Sequence, residues 1–204
     1  MKTLLSLLLL LCCLPCHAEV PIRTRHHVPN GVKTDDGGYC QWASWQTLGN
    51  CLHIPELANL KLRRAKEVYY GSDGKKISSG PAYAEAVHEY LNTLGIKVEL
   101  HAGPPSLSFL QEVCDRGVGA VTSLVNYPAQ DDAHAVLVVS VTREKISGTN
   151  SISGKAFHDY AIRFYDSNKP CQIQTASYTW FSFYWSGKAT YLPGKVVETL
   201  AQER

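Results

Sequence analysis

The chain has almost no surplus of charge. Its 20 Lys and Arg stand against 18 Asp and Glu, for a formal net charge of +2. That balance offers no electrostatic basis for nucleic acid or an anionic membrane surface as a partner. Long apolar runs are also scarce. The run from Leu4 to Leu14 covers eleven residues, against roughly 20 needed to cross a bilayer, and no later segment is apolar enough to span. His26, His27, His53, His88, His101 and His158 fall into no metal-ligand spacing, and no His-Glu-x-x-His pattern occurs. No metal or other cofactor is expected. Internal repeats and low-complexity blocks are missing as well.

What is there begins with an address. Met1-Lys2 gives a positive start, Leu4 to Leu14 an apolar stretch, and Pro15 a break; Cys16-His17-Ala18 then puts small residues where a signal peptidase reads. The pattern predicts a secretory signal over residues 1–18, removed before Glu19. Pro15 is a poor neighbour for lipid modification at Cys16. Residues 19–204 then form one domain of 186 residues, secreted or periplasmic and large enough for a sizeable core. Of seven cysteines, Cys40, Cys51, Cys114 and Cys171 lie beyond the signal. Export permits disulfides, so two bridges, including one from Cys40 to Cys51, compete with a reactive thiol.

Helical signals come first. Residues 19–36, with Pro21, Pro29 and Asn30, read as an extended lead-in. Gly37-Gly38 turns the chain into a short helix over 40–48, with Gly49 at its end. Further helices are predicted from Pro55 to Tyr70, after Pro81 with Gly95 as terminator, and after a Ser106 cap. Between them Ile96–Leu100 alternates like a half-buried strand. Later segments, Val118–Val125, Ala135–Thr142, Tyr160–Tyr165 and parts of Ile173–Tyr191, are rich in β-branched and aromatic residues. Residues 146–155 read as a long hairpin tip. In the aromatic run from Tyr178 to Trp185, strand alternation turns Phe181, Phe183 and Trp185 inward. The fold class is α+β, with N-terminal helices packed on a C-terminal antiparallel sheet.

Chemistry concentrates in three places. A thiol at the first turn of a helix meets unpaired N–H groups and the positive end of the helix dipole, which favour thiolate; Cys40 is so placed. A nucleophilic thiol needs an imidazole as base, and the imidazole an orienting group. His134 heads the strand-like run Ala135-Val136-Leu137-Val138-Val139. If that run pairs antiparallel with the one ending at Asp166, the two functional ends meet. Asn168 is the other candidate orienter.

Cys40-Gln41-Trp42-Ala43-Ser44, then His134-Ala135-Val136-Leu137-Val138-Val139, then a strand ending at Asp166, resembles the papain-like cysteine peptidase fold, closest to the bacterial C39-like peptidase branch. The likeness covers roughly Val28 to Pro170. It implies a thiol hydrolase acting on peptide or amide bonds of a peptide or protein substrate, with catalytic Cys40, His134 and Asp166. The family commonly carries a Gln about six residues before the cysteine to complete the oxyanion hole. Position 34 is Thr here, and Asn30 is the stand-in beside the Cys40 backbone N–H. The Trp often found just after the third residue is missing from Ser167-Asn168-Lys169-Pro170. Two other readings keep the fold: a transglutaminase-like acyltransferase, and a binding domain without catalysis, which Thr34 favours.

Overall fold

A computed structural model describes residues 39–60, 81–103, 105–116, 119–125, 134–169 and 172–191. The expected signal segment, Asn30, residues 61–70 of the expected second helix, and Cys171 lie outside these. The described chain runs α1 (Tyr39–Leu52), α2 (Pro55–Ala58), α3 (Pro81–Thr93), β1 (Glu99–Ala102), α4 (Leu107–Asp115), β2 (Ala120–Leu124), β3 (His134–Val141), β4 (Ile146–Thr149), β5 (Ala156–Asp159), β6 (Ala161–Asp166), β7 (Ile173–Ser177), α5 (Tyr178–Phe183) and β8 (Trp185–Tyr191). Six strands form one antiparallel sheet in the order β1-β8-β2-β3-β6-β7, while β4 and β5 make a separate ribbon. The class is α+β.

The sheet is covered on both faces, because strand alternation sends neighbouring side chains to opposite sides. On one side, Trp42, Trp45 and Leu48, spaced by three along α1, pack with Val121, Ala135, Leu137 and Tyr165. Both tryptophans are 0 % exposed. On the other, Leu110 and Val113 of α4 and Phe181 of α5 pack with Leu124, Val136, Val138, Phe164 and Trp185. The expected Ser106 cap is in place, its Oγ accepting from the Phe109 N–H at 3.1 Å.

α1 is longer than the glycine signal predicts. It runs through Gly49 to Leu52, and the left-handed residue is His53, with φ 57°. Gly49 serves a different need: a Cβ there would come within 2.4 Å of both Leu57 Cβ and the Ala58 nitrogen. The glycine lets α2 fold back against α1. A second correction concerns the aromatic run. Tyr178–Phe183 is a helical turn and a half, capped by Ser177 Oγ accepting from the Trp180 N–H at 3.1 Å. Helical periodicity keeps Phe181 inside and turns Phe183 outward, 79 % exposed. Trp185, the first residue of β8, does face the core.

Residues 146–155 are also more regular than a loose tip. Ile146–Thr149 pairs with Ala156–Asp159, and the Phe157 ring lies over Gly148. The turn beyond β4 folds onto the outer edge of β7. There the Ser151 N–H donates to the Thr175 carbonyl at 2.9 Å, and Ser151 Oγ accepts from the Thr175 N–H at 2.6 Å. No helix among the described residues is long and apolar enough to cross a membrane.

Candidate active site

The site forms where the first turn of α1 meets the start of β3. Register explains the second half of it. Leu124 stands opposite His134, and Val136 opposite Asp166, in antiparallel ladders. His134 and Asp166 are thus diagonal neighbours on the same face, near enough for long side chains to touch. The contact is made: His134 Nε2–H donates to Asp166 Oδ1 at 2.7 Å. Both are 2 % exposed. The same Oδ1 accepts the Asn168 N–H at 2.8 Å. Asn168, the other candidate orienter, therefore steadies the carboxylate through its main chain, and its exposed side chain is not the imidazole's partner.

With Nε2 committed to Asp166, Nδ1 is the ring nitrogen left for Cys40. The thiol and the imidazole each shift the other's ionisation. Cys40 is partly exposed and its thiol is free, so the bridge to Cys51 does not form. Its sulfur accepts the Ala135 N–H at 3.2 Å.

The electrostatics of thiol and imidazole are consistent with a charged pair. Burial pushes the Cys40 thiol up, but the His134 hydrogen bond and charge, with the Ala135 and Gln41 N–H groups, hold it below its ordinary value. Burial works against an imidazolium at His134, yet the bonds and negative charge of Asp166 and Cys40 raise it to about 10. Since the two groups share a proton, the lowered thiol and raised imidazole describe one thiolate–imidazolium pair.

Cys40, His134 and Asp166 are thus brought together; Asn30 lies outside the described residues. Sequence reading missed the main-chain donor at Ala135 and the two polar side chains that anchor α1, Gln41 to Ser123 Oγ at 3.0 Å and Ser44 to the Ala135 carbonyl at 3.5 Å. A buried polar stripe at 41, 44 and 47, beside the apolar stripe at 42, 45 and 48, was the available signal. Among the described residues, no group of three or more His, Cys, Asp or Glu is arranged to hold a metal ion. No protein-family model matches the chain, and no curated protein was found to be similar to it.

Proposed function

We propose that the protein is an exported thiol hydrolase of papain-like architecture, cleaving peptide or amide bonds with Cys40, His134 and Asp166. The observation that carries this reading is the buried His134–Asp166 hydrogen bond at 2.7 Å beside a free Cys40 thiol in the first turn of a helix, whose sulfur accepts the N–H of Ala135, the residue after His134. A helix N-terminus sets partial positive charge beside the thiolate, and the pairing leaves a proton on the ring.

The Cys40 thiolate attacks the carbonyl carbon, and the carbonyl electron pair moves onto oxygen. The Cys40 backbone N–H receives that oxyanion, with Asn30 the second donor expected from the sequence. When the oxyanion collapses, the C–N bond breaks and His134 gives its Nδ1 proton to the departing amine. A thioester remains. Water then attacks it, His134 takes the water's proton, and the C–S bond breaks to release acid and restore thiolate. Asp166 holds the ring by Nε2 throughout and stabilises its positive form.

The deciding experiment pairs alkylation with turnover. Iodoacetamide should modify Cys40 at pH 6 far faster than an ordinary thiol, and a mixed peptide pool should be hydrolysed by the wild type but not by Cys40→Ala. Fast alkylation without hydrolysis of any pool would favour the binding-domain reading. An unreactive Cys40 would end the proposal.

A further inference from the structure

Beneath the Cys40 turn, two neutral side chains meet in the core. Gln41 and Ser123 are 4 % and 3 % exposed, and Gln41 Nε2–H donates to Ser123 Oγ at 3.0 Å between residues 82 apart in sequence. Gln41 directly follows Cys40 in the first turn of α1. Ser123 lies opposite Ala135 in the β2–β3 ladder, and the Ala135 N–H donates to Cys40 Sγ at 3.2 Å. The side-chain bond therefore joins the residue after the thiol to the strand position beside the sulfur's main-chain donor. A glutamine buried this way gives up rotamer freedom and an amide's hydration, which only a well-placed partner offsets.

We propose that Gln41 and Ser123 are positioning residues whose bond clasps the start of α1 to β2 and β3, keeping the Ala135 N–H aimed at Cys40 Sγ. This rests on Cys40 acting as the thiolate nucleophile. Neither side chain touches the reacting atoms. The clasp sets the distance between helix and strand, and so how well the sulfur is held in its ionised form. Ser44, bonded to the Ala135 carbonyl at the longer distance of 3.5 Å, is the weaker tie.

The test is the pH dependence of iodoacetamide alkylation at Cys40, followed by mass spectrometry of the Cys40 peptide, with thermal melting in parallel. Wild type is compared with Gln41→Met, Ser123→Ala, their double variant, and Ser123→Thr. The single variants should move the alkylation midpoint up by about one pH unit and slow the reaction at pH 6 roughly tenfold. The double variant should be no slower than the slower single, because one bond is lost in each. Ser123→Thr keeps the hydroxyl and should restore the wild-type profile. A merely structural contact would lower the melting midpoint and leave the profile of the folded protein unmoved; that result overturns the clasp. If Ser123→Ala does not fold, Gln41→Met decides alone, since it keeps length and volume without the donor. A wild-type midpoint at the ordinary thiol value of about 8.5 overturns the functional reading and the clasp together. A depressed wild-type midpoint with unmoved variants overturns the clasp alone.

Discussion

The two ends of α1 carry the same thiol in opposite electrostatic settings. Cys40 sits in the first turn, partly exposed, and is held below its ordinary pKa against the opposing effect of burial. Cys51 sits in the last turn, buried, and is pushed up to about 11 by burial. Cys114, on α4, is driven further, to about 12, by the same cause. Desolvation acts on all three; donors decide between them. At Cys40, an imidazole and two main-chain N–H groups outweigh it, at the helix end whose dipole favours negative charge. At Cys51 the dipole points the wrong way. Reactivity here belongs to the neighbourhood and not to the cysteine.

The most damaging change to this contrast is Cys40→Ala. It should bring hydrolysis to background, a loss of at least about 10⁴-fold, because neither remaining helix thiol is ionised near neutral pH. Steady-state turnover with a purified, folded variant checks it. His134→Ala removes base, acid and charge partner together. A fall of about 10²–10⁴-fold in kcat/KM is expected. The Ala135 and Gln41 N–H groups remain in that variant, so its Cys40 should still alkylate faster below pH 8 than Cys51.

Asp166→Asn should do less, about ten- to hundredfold in kcat/KM, because an oxygen still accepts from Nε2 while the charge is gone. The same variant should shift the pH profile. In the wild type, the lowered thiol stays ionised as pH falls below its ordinary range, and the raised imidazole keeps its proton up to about 10. The productive pair therefore exists between those limits. Activity should be lost on the acid side as the thiolate protonates, and near pH 10 as the imidazolium deprotonates. A kcat/KM profile with its alkaline limb near 6.5 would show an ordinary imidazole instead; in Asp166→Asn the alkaline limb should move down. At the quiet end of the helix, Cys51→Ala should leave kcat/KM within about twofold. Its cost should be a stability loss of about 1 kcal/mol, read from denaturant unfolding. A large loss of activity there would erase the distinction between the two ends.

Much of the candidate site was legible because its signals are local. Gly37-Gly38 before Tyr39 marked a helix start, so Cys40 fell in a first turn. Alternation marked the runs from His134 and up to Asp166, and a hairpin tip over residues 146–155 between them implied antiparallel neighbours. What stayed hidden depends on residues far along the chain. Gly49 looks like a terminator until Leu57 and Ala58 are seen against it. Gln41 and Ser44 look like surface polar residues until strands 82 and 91 residues away supply their partners. Tyr178–Phe183 misled for another reason. Aromatic residues favour strands on average, but the Ser177 cap and the position of the segment beyond the end of β7 turn it into a helix.

The contact of Ser151 with Thr175 has a consequence for molecules in a crowd. β7 is the last strand on its side of the sheet, and an open strand edge is a template on which another chain can assemble. At Thr175 both outward-facing main-chain groups are already taken, the N–H by a hydroxyl and the carbonyl by the Ser151 N–H. A second copy could not add a strand there without first prising away the β4–β5 turn. The turn of the ribbon thus shields this edge of the sheet against self-association, and it does so at the level of a single serine.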